Sequence, residues 1–342
     1  MASVSSAASK STSSNRLMLL ICMGLVYLIW GSTYFAISIV VKTMPPLLSA
    51  GVRFLIAGII LYTTMRLFKT PRPTLRQWGS AGLVGALLLA GGNGTVMYVE
   101  QQVPSGLTAL LVALVPLWTV LINGVIPGGK RPSLRVSAGV ILGFGGVALL
   151  ALRGGGSGAG LNPIAFLLIG STFLWAAGSI FGSRANLPAS PLMSTAVEML
   201  VGGVVVTIGG FALGEGGAIH LNAISWQSEV GLVYLILIGS LVAYSAYSWL
   251  IQNAAPALVS TYAYVNPVIA LLLGSVGAVF GGVNERLTSV AIIAAAIIIA
   301  AVVLITLPDK QALARMRARI ISRPNAAEAA QAEQVAIAAE QP

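Results

Sequence analysis

Leu17–Val41 reads LMLLICMGLVYLIWGSTYFAISIVV, 25 residues without a charge or a proline. A helix rises about 1.5 Å per residue and the hydrocarbon core of a bilayer is about 30 Å thick, so roughly 20 apolar residues cross it. Lys10 and Arg16 precede the run in the manner of a signal peptide. The run is too long for a signal-peptide core, and no small-residue cleavage site closes it. It reads as an uncleaved first membrane span.

Nine more apolar segments follow, giving ten in all: 17–41, 47–68, 78–99, 105–126, 134–152, 161–183, 192–212, 229–250, 257–279 and 288–306. Backbone groups in lipid must pair internally, and no strand-like alternation is present, so each segment reads as a helix. The composition agrees. Of 342 residues, 57% are hydrophobic and 8% charged, where a soluble domain carries about a quarter charged. A mean hydropathy of +0.91 is too apolar for one globular core. The lipid bilayer is the partner that solvates the surface.

The net charge is +10, which raises the question of a nucleic-acid partner. Its distribution argues for none. Fifteen of the 19 Lys and Arg fall in the two tails or in alternate loops, the positive-inside pattern of a membrane protein. Arg66, Lys69, Arg72 and Arg76 follow span two; Lys130, Arg131 and Arg135 follow span four; Arg184 follows span six. The opposite loops hold only Lys42, Arg153 and Arg286, beside Glu100, Glu215, Glu229 and Glu285. Both termini are therefore expected in the cytoplasm. The single His, the single Asp (Asp309) and the lone Cys22 leave no set for a metal site, a Ser-His-Asp triad, an Asp dyad or a disulfide framework. No metal and no cofactor is expected, and no oligomeric state follows from the sequence.

The chain repeats itself. A shift of 145 residues lays Trp30 on Trp175, Pro46-Leu47 on Pro191-Leu192, Ser49 on Ser194, Val52 on Val197, Leu55 on Leu200 and Gly58 on Gly203. Pro104 matches Pro256 and Pro116 matches Pro267 at slightly larger shifts. The domain organisation is then a disordered N-terminus (1–16), a first five-helix repeat (17–152), a Gly-rich linker (153–160), a second five-helix repeat (161–306) and a basic, then Ala/Glu/Gln-rich tail (307–342). Five helices per half is odd, so the second half enters from the opposite side. The fold class expected is an all-α integral membrane protein of ten transmembrane helices, built as two inverted five-helix repeats around a central cavity.

Trp30-Gly31-Ser32-Thr33-Tyr34-Phe35, Arg53-Phe54, Pro104-Ser105-Gly106 leading to Pro116, and Tyr262-Ala263-Tyr264-Val265-Asn266-Pro267 resemble the drug/metabolite transporter superfamily. Within it they resemble the ten-helix EamA-type permeases, the YedA-like inner-membrane members most of all. Glu285-Arg286-Leu287 also resembles the family pattern, whereas Lys130-Arg131-Pro132 departs from it at the corresponding place. The resemblance spans residues 17–306. It implies a basket of ten helices around a central cavity that works by alternating access, exporting amino acids, other metabolites or drugs.

Polar and aromatic side chains at span depth are costly toward lipid, so Trp30, Thr33, Asn93, Trp175, Tyr244, Tyr264 and Asn266 are expected to line a substrate cavity. The bland reading of each is packing or interhelical hydrogen bonding. Gly91-Gly92-Asn93-Gly94 interrupts span three and permits a bend or close packing. Arg53 and Glu198 are the clearest intramembrane charges, and they are equivalents under the 145 shift. Inversion sets them on the order of 10 Å apart in height, so a direct pair would need bent or shifted helices, and for Arg53 local structural partners are favoured over transport chemistry. Glu100, at the outer end of span three, is expected to be solvated.

The sequence points to a secondary carrier of a small-molecule solute, not an enzyme. Alternatives are a channel-like facilitator or a membrane-embedded enzyme, the latter disfavoured by the scarcity of His and Asp. No Gly-rich phosphate loop is present, so ATP does not drive it directly. Proton coupling stays open, with Glu198 the one clear acid inside a span.

Overall fold

The computed structural model describes residues 2–127, 133–153, 162–254, 259, 262–275 and 289–306. Among them there is no strand; every long element is a helix. In chain order these are α1 (Ala2–Val40), α2 (Pro46–Leu67), α3 (Leu75–Val99), α4 (Ser105–Val125), α5 (Leu134–Arg153), α6 (Pro163–Gly182), α7 (Pro191–Ala212), α8 (Trp226–Asn253), α9 (Tyr262–Ser275) and α10 (Ser289–Thr306). Seven are long and apolar enough to cross a membrane: α1 from Leu17, α2, α3, α4, α6, α7 and α8. Their ends agree with the sequence expectation within three residues. α5, α9 and α10 carry shorter apolar stretches, Leu134–Gly146, Val265–Gly274 and Ile292–Ala301. Parts of the expected ninth and tenth spans, the Gly-rich linker beyond Arg153, the tail beyond Thr306, and Lys130, Arg131 and Glu285-Arg286-Leu287 lie outside the described residues.

α1 begins at Ala2 and includes the Ser/Ala-rich stretch. That stretch contains no Gly or Pro to stop a helix already propagating from Leu17.

Local chemistry sets the helix starts. Thr74 and Gln77 form a reciprocal capping box at α3, with Gln77 N donating to Thr74 Oγ1 at 3.3 Å and Thr74 N to Gln77 Oε1 at 2.9 Å. α7 opens on Ser190 with Pro191 at its first position, and α8 on Ser225, whose hydroxyl accepts from Ser228 N at 3.3 Å. α2 has Pro46 first and no cap of its own. Glu215, from the loop after α7, accepts instead from Leu47 N at 3.1 Å and Leu48 N at 2.9 Å.

α2 and α7 pack along their lengths through small residues. Leu48 faces Gly210, Gly51 faces Thr207, Leu55 faces Gly203, and Gly58 faces Leu200. Numbers rise on one helix as they fall on the other, so the pair is antiparallel. A Cβ at Gly58 would stand 3.0 Å from Leu200 Cγ, and a Cβ at Gly203 3.0 Å from Leu55 Cγ. Small residues let these backbones approach. Outside, Leu28, Ile59, Ile141, Ile208 and Leu272 are exposed, as lipid-facing side chains should be. Trp226, at the start of α8, is also exposed, in keeping with an interfacial ring.

Two helices depart from α geometry near their middles. Ala86–Gly94 of α3 and Leu235–Tyr244 of α8 are π-helical. α4 breaks at Ala113–Leu114, just before Pro116, and Pro267 lies inside α9. Each Pro removes a backbone donor and relaxes the helix there.

Candidate functional site

The middle of α1 presents one helical stripe, Trp30, Thr33, Tyr34 and Ile37, spaced three and four apart. The stripe forms one wall of a central cavity. Arg53 of α2, Gly92, Asn93 and Val96 of α3, Val112 and Val115 of α4, Ser171, Thr172 and Trp175 of α6, and Tyr262 of α9 complete it. The π-helical stretch of α3 contributes Gly92 and Asn93. A Cβ at Gly92 would stand 2.6 Å from Trp175 Cε3, so that glycine admits the indole. Ser171 Oγ donates to the Gly92 carbonyl at 3.0 Å, tying α6 to the irregular segment.

Aromatic rings gather around Trp30. Trp175 meets it edge-on with centroids 5.6 Å apart, Tyr262 likewise at 5.2 Å, Tyr247 lies at 4.8 Å and Tyr244 at 6.2 Å. Such edge and tilted pairs are favourable arrangements beyond the area they bury. Tyr247 and Tyr262 also line a second recess near the C-terminal ends of α4 and α6, with Asn123, Ser183 and Arg184. Another recess lies where α1 and α3 end, lined by Lys42, Glu100 and Gln101 among others.

The two intramembrane charges find local partners, and no ion pair joins them. Arg53 is 3% exposed. Its Nε donates to Ser240 Oγ, in the π-helical part of α8, at 2.8 Å, and its guanidinium carbon lies 4.9 Å from the Phe54 ring centre. Glu198 is 2% exposed. Its carboxylate accepts from Ser194 Oγ at 2.8 Å and from Tyr244 OH at 3.1 Å.

The structure thus brings Trp30, Thr33, Asn93 and Trp175 into one cavity wall, with Arg53. Tyr244 stands behind that wall, its hydroxyl turned to Glu198. Asn266 is buried between α1 and α9. With its amide nitrogen turned inward it donates to the Tyr262 and Tyr27 carbonyls, both at 3.2 Å, which is interhelical bonding. The side chain of Tyr264 lies outside the described residues. Glu100 is 6% exposed, buried rather than solvated, beside a recess that Lys42 and Gln101 also line. Ile37 is not singled out by the sequence, and Tyr34 only as part of the Trp30–Phe35 motif, although the three-four stripe from Trp30 carries the signal. Ser171 and Thr172, one turn before Trp175, follow the same spacing.

This arrangement is a polar-aromatic cavity enclosed by helices, without metal-ligating clusters among the described residues. Comparison with known proteins decides its class. A family model described as the EamA-like transporter family matches the chain twice, over residues 17–152 and 162–307. The chain belongs to the EamA-like transporter family. Membership makes it a multi-pass membrane transporter. The inner membrane transporter YedA of Escherichia coli (strain K12) is 45% identical over 284 residues, covering 82% of this chain and 88% of its own. The "probable amino-acid metabolite efflux pump" of the same strain is 23% identical over 285 residues, covering 80% and 90%. Among solved structures, a protein crystal structure 19% identical covers 86% of this chain and 97% of its own with a TM-score of 0.58, a likeness of fold.

Proposed function

We propose that this EamA-family transporter is a secondary carrier of the inner membrane that exports small amino-acid-like metabolites or drugs by alternating access. Ten membrane helices form two inverted five-helix repeats around the central cavity, with both termini in the cytoplasm. The observation that carries the reading is the reciprocal packing of α2 and α7. Leu55 meets Gly203 as Leu200 meets Gly58, and each pair becomes the other under the 145 shift. Antiparallel helices exchanging equivalent contacts are what a two-fold axis in the membrane plane produces. Supporting it, the third helix of each half is π-helical at mid-length, and each fourth helix carries a proline, Pro116 just after the break in α4 and Pro267 inside α9.

In this mechanism the Trp30–Trp175 contact joins the halves at the substrate cavity. Tyr247 and Tyr262 stand between the cavity and the recess beside Arg184. Rocking of one half against the other opens one end while closing its counterpart. Glu198, linked through Tyr244 to the aromatic cluster, is the acid that a proton-coupled cycle would use. The efflux-pump relative supports export and an amino-acid-like solute.

Counterflow tests this. The purified chain is placed in liposomes loaded with unlabelled amino acids or drugs, and uptake of the labelled compound is followed. A carrier gives saturable uptake that internal solute accelerates. Flux that rises linearly with concentration and ignores internal solute would establish a channel-like facilitator instead.

A further inference from the structure

We propose that Arg53 anchors a carboxylate on the transported solute, so that the cavity selects organic monoanions or zwitterions bearing a carboxylate beside an apolar or aromatic group. This rests on the carrier reading above and names the chemistry of its cargo.

Arg53 is positioned as a receptor, not as half of a salt bridge. Ser240 holds its Nε at 2.8 Å. Gly239, in the same π-helical turn, leaves room for the head: a Cβ there would stand 3.2 Å from Nη2. Nη1 is buried without a hydrogen-bond partner. Glu198, the repeat counterpart, commits its carboxylate to Ser194 and Tyr244. A buried charge with an unmet donor is costly, and a matching anion offsets that cost.

The remaining walls narrow the class. They offer hydroxyls and an amide from Thr33, Asn93 and Ser171, and the rings of Trp30 and Trp175. Arg53 is the sole Lys or Arg among the lining residues. A phosphate dianion calls for several cations. A cationic drug would meet the guanidinium as a like charge, and a neutral one could accept from Nη1 but would leave the buried charge uncompensated. One carboxylate on a compact apolar body satisfies both the donor and the rings. In the conformation seen, protein covers Nη1, so an anion reaches it only as the neighbouring wall shifts. Binding and rearrangement are then a single event.

The test uses the full chain in detergent, with the solute-dependent change in tryptophan fluorescence, to which Trp30 and Trp175 of the cavity wall contribute, as the readout. Titrants are matched pairs: 3-phenylpropionate and 3-phenylpropanamide, L-phenylalanine and L-phenylalaninamide, L-leucine and L-leucinamide. At least one acid should bind about tenfold or more tightly than its amide, the scale of one charge-assisted hydrogen bond. Arg53→Gln should abolish that preference and Arg53→Lys should keep part of it. If Arg53→Gln fails to fold, the acid–amide comparison in the unaltered chain and in Arg53→Lys still decides. Amides binding as well as acids, no acid binding, or an undiminished preference in Arg53→Gln each overturn the proposal. Counterflow separates it from the carrier reading. Saturable exchange confined to solutes without a carboxylate keeps the carrier and removes the anchor. Acid-selective binding without exchange keeps the anchor and removes the carrier.

Discussion

Trp30 and Trp175 hold the same position in the two halves of the chain and touch edge to face, their ring centroids 5.6 Å apart and their planes at 84°. Trp30 also contacts the rings of Tyr247 and Tyr262, so it is the hub of the cluster. Trp30→Ala should cost about 3–5 kcal/mol of stability. Trp30→Phe keeps an edge-on ring and should cost less than half as much. Thermal unfolding in detergent ranks the two variants; equal melting of Trp30→Ala and the unaltered chain would remove Trp30 from the core of the fold.

The α2–α7 seam predicts a symmetry in mutational cost. Gly58→Ala and Gly203→Ala meet matching leucine walls. Each should destabilise by about 1–3 kcal/mol, and by similar amounts. Gly85→Ala should be worse, because its Cβ would run into the Glu198 carbonyl, which is backbone and cannot swing aside. Size-exclusion recovery after heating measures all three. A harmless Gly85→Ala would contradict the packing described.

Glu215 ties the loop after α7 to the start of α2. Pro46 has no N–H to offer, and Glu215 accepts from the next two, Leu47 and Leu48. A carboxylate also suits the positive end of the helix. Glu215→Ala should lower stability by about 1.5–3 kcal/mol. Glu215→Gln, which keeps one acceptor oxygen, should lose less. Identical melting of the alanine variant and the unaltered chain would show that the clamp contributes nothing.

The span boundaries were legible because an apolar run of 20 or more residues has few other readings. The equivalence of Trp30 and Trp175 was legible because Trp and Pro are rare enough to mark a repeat; their contact was not. Side-chain direction was less so. One residue along a helix turns the side chain by about 100°, and which way Tyr244 or Asn266 faces depends on neighbouring helices far away in sequence. Tyr244 turned to Glu198, and Asn266 to the Tyr27 carbonyl. The π-helical stretch of α3 had a visible cause in Gly91-Gly92-Asn93-Gly94. Its counterpart in α8 has only Gly239 and left no comparable mark.

Loop charge sets the expected topology. A reporter fused to the C-terminus should be active only in the cytoplasm, and one inserted after Gly156 only on the opposite face. Two reporters reading the same side would remove the inverted arrangement.

Labelling of single cysteines tests the central cavity most directly. With Cys22 replaced, cysteines at positions 33 and 93 should react with a membrane-impermeant thiol reagent, and a transported solute should slow the reaction. A cysteine at 266 should stay protected, since Asn266 lies between α1 and α9 and not in the cavity wall. If positions 33 and 93 resist the water-soluble reagent while a lipid-soluble one labels them readily, those faces meet the bilayer and the cavity does not carry solute.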